Sequence, residues 1–137
     1  MRPKKKILLV DRDGARLSVR RFLLNTRGYN VVSASSIKAA ILKATSLQVD
    51  VVVTELNLGS EDGRELVRLL NQGELRPPTI LISESVLAGA IAHPADAFLS
   101  KESCGPVELL ERVKTLVARK RGPKGAVRVP APMKACA

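Results

Sequence analysis

The sequence predicts an α/β fold: a doubly wound three-layer sandwich with helices on both faces of a five-stranded parallel sheet. Three observations carry that prediction. Short apolar runs recur along the chain, with the length and character of strands buried on both faces. Segments with apolar residues at helical spacing separate them, opened by capping residues or closed by glycine or proline. Strand and helix alternate five times in about 112 residues, and right-handed crossovers turn such an alternation into a parallel sheet covered above and below.

Lys6–Val10 (KILLV) is a continuous apolar run ending at Asp11. In the helix predicted next, Ala15, Val19, Phe22 and Leu23 form the stripe expected to face inward, Arg16, Arg20 and Arg27 lie elsewhere on its surface, and Gly28 is a natural stop. Tyr29–Ser33 (YNVVS) reads as a second strand, after which Ser36 caps a helix burying Ile37, Ala40, Ile41 and Ala44. Val49–Glu55 (VDVVVTE) is the strongest strand, β-branched and largely apolar. A loop ending in Asp62-Gly63 leads into Arg64–Asn71, where Leu66, Leu69 and Leu70 recur at helical spacing. Pro78–Ser83 (PTILIS) is a fourth strand, followed by a short alanine-rich helical stretch that must end before Pro94. Ala97–Ser100 is a brief fifth strand; Gly105-Pro106 then opens a helix expected to turn Val107, Leu110, Val113 and Val117 inward.

At 137 residues the chain fits one domain with a real core. One Tyr, two Phe and no Trp make that core aliphatic, and they leave no aromatic platform on which single-stranded nucleic acid could stack. The net charge of +10 is confined to the ends: residues 7–118 carry 13 basic and 13 acidic side chains. The expected division is a basic N-terminal end over 1–5, a folded domain over 6–118 and a basic, solvated C-terminal tail over 119–137. Cys104 and Cys136 stand 32 residues apart and form neither a metal cluster nor a disulfide framework. With no apolar run long enough for a membrane span or a signal-peptide core, a soluble, cytoplasmic protein is expected.

In a sheet of this kind ligands bind at the carboxyl ends of the strands. The residues there are Asp11 to Asp13, the loop after Ser33, Glu55 to Asn57, Ser83-Glu84 and Lys101-Glu102. An acid after the first strand, an acid after the third, a hydroxyl after the fourth and a lysine after the fifth make a coherent set. The segments ILLVDRD, VVVTELNLGSEDGRELVRLL, PPTILIS and DAFLSKESCGPVELLERV resemble, in order and with nearly the usual spacing, the signature regions of response-regulator receiver domains over residues 6 to 118. The resemblance implies a flavodoxin-like receiver fold with strand order 2-1-3-4-5. In that family an acid pair after the first strand and an Asp after the third hold a divalent cation, and the latter Asp accepts a phosphoryl group from a histidine kinase. Hard oxygen ligands suit magnesium, while a hydroxyl and an ammonium bind the phosphoryl oxygens. By position, the resemblance places Asp11 in the acid pair, Glu55 at the phosphoacceptor, Ser83 at the hydroxyl, Lys101 at the lysine and Phe98 at the aromatic switch position, with Asn57 in the most specific segment.

The departures carry as much as the matches. Arg12 stands where the second acid of the pair is expected, and a guanidinium cannot ligate magnesium. Asp13 follows one step later, where its side chain leaves the strand end in another direction. Glu55 retains a carboxylate but moves it by about one bond length, ~1.5 Å, a displacement to which in-line transfer is sensitive. Glu84 adds bulk and negative charge beside Ser83, where receivers usually place a small residue. The interval from Ser83 to Lys101 is about one helical turn shorter than usual. Glu55 is expected to pair with Arg12 or Lys101, giving a site with internally balanced charge; magnesium is disfavoured, with Asp11 and Glu55 its residual candidate ligands, and no cofactor is expected.

Blander roles stand beside these. Asp11 could serve only as a helix N-cap, though the matching site residues favour a site origin; Arg12 could be a solvated side chain, Ser83 and Lys101 structural hydrogen-bonding groups, Phe98 core and His93 a surface loop residue. The expected function is a phosphorelay signalling module that binds a protein partner without a phosphorylation switch, with a homodimer among the arrangements left open. Two alternatives differ in kind. Asp11-Arg12-Asp13-Gly14 also resembles the first motif of haloacid-dehalogenase-type phosphatases, in which Asp11 would be nucleophile and Asp13 general acid, with Ser83 and Lys101 completing the site; the later acidic pair of those enzymes is missing. The basic ends would also suit an adaptor for DNA or an acidic lipid surface. The loop after the first strand has neither a flavin phosphate cradle nor a dinucleotide fingerprint.

Overall fold

The computed structural model describes residues 4–84, 95–101 and 105–118. Five parallel strands form one sheet: β1 (Lys6–Val10), β2 (Asn30–Ala34), β3 (Val51–Glu55), β6 (Thr79–Ser83) and β7 (Ala97–Ser100), in the order β2-β1-β3-β6-β7. Counting sheet strands alone, this is the expected 2-1-3-4-5. A two-stranded antiparallel pair, β4 (Asn57–Leu58) and β5 (Glu61–Asp62), occupies the connection after β3 that the sequence presents only as a loop. The helices are α1 (Gly14–Asn25), α2 (Ile37–Leu47), α3 (Gly63–Gln72) and α4 (Pro106–Ala118). The expected helical stretch before Pro94, His93, both cysteines and the basic tail lie outside the described residues.

Strand alternation divides the core into two layers. Ile7, Leu9, Val51, Val53, Ile80, Ile82 and Leu99 face one way and pack with Leu24 of α1 and Leu109, Val113 and Leu116 of α4. Leu8, Val10 and Val52 face the other way, against Ala40 and Ala44 of α2 and Leu66 and Leu70 of α3. Two covered faces explain why the strands read as unbroken apolar runs rather than as an alternation. Phe98 is core, packed with Val67, Leu81 and Ala95.

Local signals place the helix starts. The Asp13 carboxylate accepts from the backbone N–H groups of Ala15 and Arg16 and caps α1, so the capping role weighed for Asp11 belongs to Asp13. Ser36 caps α2 through Ala39 N–H, and Asp62 caps α3 through Arg64 N–H. At Gly63 a Cβ would lie 2.0 Å from the Glu55 carbonyl oxygen, so the chain that enters α3 passes the end of β3 only because this residue has no side chain.

Two helix faces differ from those expected. On α1, Val19 is 67% exposed and Phe22 72%, while Leu24 is fully buried and Leu17 packs beside it. The inward arc is Leu17, Arg20 and Leu24, at spacings of three and four. Apolar character alone pointed to the neighbouring arc, because Arg20 hides the true stripe by placing a charge in it. On α4 the buried residues are Leu109, Val113 and Leu116; Leu110 and Val117 pack at the flank and Val107 is exposed. Both stripes of α4 have helical spacing, and only docking on β7 and β3 selects one. Among the described residues no helix is long and apolar enough to cross a membrane.

The reassigned face of α1 is directly measurable. Leu24→Ala should destabilise the fold by about 2–4 kcal/mol in chemical denaturation, whereas Phe22→Ala should change it by less than about 0.5 kcal/mol.

Candidate functional site

The parallel register builds the site. β1 and β3 pair Ile7 with Val51 and so on to Val10 with Thr54, so the next residues, Asp11 and Glu55, leave the sheet side by side. Each continues the parity of residues that face the α1 layer, Ile7 and Leu9 in one strand and Val51 and Val53 in the other. Both carboxylates are almost wholly buried, at 1% and 3% exposure. Two such charges together are costly unless cations meet them.

The cations come chiefly from α1. Arg16 Nε and Nη2 donate to Asp11 Oδ2 and Oδ1 at 2.7 and 2.9 Å, a bidentate fork. One turn later, Arg20 Nη1 donates to Glu55 Oε2 at 2.8 Å and reaches Asp11 Oδ2 at 3.4 Å, bridging the two acids. Asp13 N–H supplies a further bond to Asp11 Oδ1 at 2.9 Å. From the end of β7, Lys101 Nζ donates to Glu55 Oε1 and, at 3.0 Å, to Glu84 Oε1. Arg16 Nη2 also stands 3.9 Å from Glu55 Oε1, and its Nη1 stands 3.8 Å from Glu84 Oε1.

These partners set the titration. Burial pushes the Asp11 carboxyl up, but the Arg16 hydrogen bonds, the Asp13 N–H and the charges of Arg16 and Arg20 together outweigh it and hold it below the usual aspartate value. The same contact with Asp11 drives the Arg16 guanidinium further up. Glu84 is lowered by its hydrogen bond to Lys101 and by the lysine charge.

The other expected residues sort plainly. Of the two partners expected for Glu55, Lys101 makes the contact and Arg12 does not. Arg12 turns outward, over Leu58 O at 3.5 Å and across Gly59. As the second residue beyond β1, it leaves the strand end on the side opposite Asp11. Asp13 faces solvent as a cap. Asn57 is exposed and accepts from Gly59 N–H at 3.0 Å, holding the turn between β4 and β5. Ser83 is buried and pairs in register with Ser100; its carbonyl accepts from Lys101 N–H at 2.8 Å, which fixes where the lysine leaves the sheet. Glu84 does not fill the pocket beside Ser83: its side chain is 73% exposed at the rim. Arg16 and Arg20 are the residues that sequence reasoning passed over. Their signal was present, an i, i+4 pair of arginines one and two turns beyond an acid at a strand-to-helix junction, with Arg20 on the stripe of Leu17 and Leu24.

The match to a family model decides what this arrangement descends from: the response regulator receiver domain model covers residues 7–114. The chain belongs to the response regulator receiver family. Among curated relatives, this receiver is 30% identical over 121 residues to the alkaline phosphatase synthesis transcriptional regulatory protein PhoP of Bacillus subtilis, covering 84% of this chain and 49% of that protein. The chain thus spans about half the length of the curated relatives it matches. Among solved structures, it is similar to the signal receiver domain of an HD domain-containing protein from Pseudomonas fluorescens Pf-5, with 26% identity, a TM-score of 0.74, and coverage of 84% of this chain and 95% of that one. It also shares its fold with the response regulator TrrA of Thermotoga maritima in complex with Mg(2+)-BeF, at 24% identity and a TM-score of 0.75, covering 82% of this chain and 98% of that one.

The charge cluster makes two predictions. Arg20→Ala removes the cation bonded to Glu55 Oε2, leaving Lys101 and the more distant Arg16 on Oε1, and should cost on the order of 2 kcal/mol in denaturant unfolding. A carboxyl whose pKa is lower folded than unfolded stabilises the fold above its ordinary value, near pH 4, and loses that contribution as pH falls through the lowered one. Arg16→Met removes the fork on Asp11 and leaves burial less opposed. The acid limb of a melting-temperature profile should therefore begin at higher pH in Arg16→Met than in the native chain.

Proposed function

We propose that this receiver is a cytoplasmic signalling module of the two-component type that works through protein contacts without phosphorylation of Glu55. One observation carries the reading: every oxygen of the two carboxylates that stand where a metal and a phosphoryl group would be handled already meets one of the protein's own cations. Arg16 holds both oxygens of Asp11, while Arg20 and Lys101 each hold one of Glu55. Magnesium requires oxygen lone pairs with octahedral freedom and several retained waters. Asp11 already accepts four bonds, three from guanidinium groups and one from Asp13 N–H, and each oxygen of Glu55 meets a cation, so the donor set does not fit magnesium and no step is derived through it. Among the described residues no group of three or more His, Cys, Asp or Glu side chains is arranged to hold a metal ion.

Phosphoryl acceptance would need a free carboxylate oxygen as nucleophile and a cation to neutralise the incoming group. Here Glu55 has both oxygens bonded, and Lys101 is shared with Glu84. The phosphatase alternative fares no better: Asp11 as nucleophile would have to shed a bidentate guanidinium, and Asp13 as general acid is turned away as a helix cap. What the cluster does well is pin α1, β1, β3 and β7 together at one end of the sheet, giving a fixed surface in place of a switched one.

Treatment with acetyl phosphate, or with beryllofluoride and magnesium, followed by mass spectrometry and amide NMR, tests this. No adduct and no magnesium-dependent shifts near Asp11 are expected. An acyl phosphate on Glu55, or such shifts, would defeat the reading. Glu55→Asp alone should also stay unmodified, because Arg16 still holds both oxygens of Asp11.

A further inference from the structure

The neutral charge of residues 7–118 hides a polarity along the chain. Residues 14–49 carry six basic side chains and no acidic one, whereas residues 50–118 carry six basic and 11 acidic. The acid-free stretch folds into α1, β2 and α2, and because β2 is the outermost strand it forms one edge of the molecule. Arg16 and Arg20 are taken up by Asp11 and Glu55. Arg21, Arg27, Lys38 and Lys43 are exposed and form no ion pair among the described residues. Lys5, also exposed, stands at the foot of the same edge, where its carbonyl accepts from Asn30 N–H at 2.8 Å.

The open side of β2 is built around Ser33. Asn30 N–H and the Ala34 carbonyl bond toward β1, so by strand alternation the N–H and C=O of Ser33 point away from the sheet. Arg21 Nη2, from α1, donates to Ser33 Oγ at 2.6 Å, and Lys43 Nζ, from α2, donates to the Ser33 carbonyl. Two cations from opposite layers thus meet on one edge residue. Their partners are neutral oxygens, so neither charge is compensated, and each side chain keeps further N–H groups to donate.

We propose that this edge binds the phosphate backbone of a nucleic-acid duplex. The set of groups argues first. Arginine, lysine, serine and asparagine side chains with backbone N–H groups are what contact phosphate without reading bases, and Asn30, Ser33, Arg21 and Lys43 present them over about 10 Å of strand. Other occupants fit less well. A further β-strand is barred, because Lys43 covers the carbonyl to which it would pair. A protein interface or a bilayer needs apolar contact. Phe22 and Leu42, the most exposed apolar side chains of α1 and α2, stand about 100° round their helices from Arg21 and Lys43, turned from the edge toward the outer faces. Tyr29, the aromatic residue of the edge, packs against the core, which leaves no platform for stacked bases and selects a duplex over a single strand. The proposal does not involve Asp11 or Glu55 and stands apart from how Glu55 behaves toward phosphoryl donors.

The test titrates a short fluorescent DNA duplex of mixed sequence with the full chain over a range of salt concentrations. The fall of log K with log salt should become shallower by about 0.9 in Arg21→Gln and by as much again when Lys43→Gln is added. Both positions are exposed, so the amide spectrum away from them should stay unchanged. Lys114→Gln, on α4, should leave the slope as it was. In the isotopically labelled chain the duplex should shift the amides of Arg21, Ser33 and Lys43. The basic C-terminal segment is controlled by Lys120→Gln, Arg121→Gln and Lys124→Gln together: the duplex should still shift Ser33 in that variant, and adding Arg21→Gln should still lower its slope. No duplex binding at low salt, an unchanged slope in both edge variants, or loss of the Ser33 shift when only the C-terminal segment is neutralised would each overturn the proposal. So would Arg21-dependent pelleting with phosphatidylserine vesicles in the absence of Arg21-dependent duplex binding, which assigns the edge to a membrane.

Discussion

Two parallel strands in register deliver two carboxylates to the same place, and the rest of the site follows from the need to neutralise them. Asp11 and Glu55 are separated by one strand spacing, about 4.8 Å, and shielded from water. At that distance and burial their repulsion and desolvation would raise the pKa of at least one, so a charged pair persists only with cations held firmly against it. α1 supplies them because its first two turns pass directly over the end of β1 and Asp13 fixes where the helix begins. Lys101 completes the set from the far side because the β6–β7 register and the Ser83 carbonyl fix its exit from the sheet.

This explains why one acid is long. A glutamate at position 55 carries its oxygens past the strand end to where Arg20 and Lys101 can each take one. Substitution of the acid and placement of the arginines therefore act in one direction: both set cations of the chain itself against the two carboxylates. Arg12, the most conspicuous departure in the linear pattern, takes no part. Strand geometry turns it outward, and the cations that matter stand one and two helical turns further on.

The same substitution of charge for apolar surface shapes α1. With Arg20 committed to the inward arc, the helix sits rotated so that Val19 and Phe22 face outward. An interior polar contact thereby leaves an apolar surface of α1 exposed. The network that holds Asp11 and Glu55 thus also sets which face of α1 is exposed.

The sequence by itself determined the strands, their order through the receiver resemblance, and the positions of Asp11, Glu55, Ser83 and Lys101, because all of these depend on local periodicity, capping and family spacing. It also determined that charge would be balanced inside the site. Tertiary structure alone decided which cations do the balancing and which faces of α1 and α4 turn inward. Those outcomes depend on how a helix rolls on a sheet, and a helix with two apolar arcs settles its roll by where its buried charge finds a partner. Arg20 lies on the stripe of Leu17 and Leu24 and four residues after Arg16 in the sequence, but that spacing does not say which acid it meets; the carboxylate of Glu55, 35 residues away, decides it.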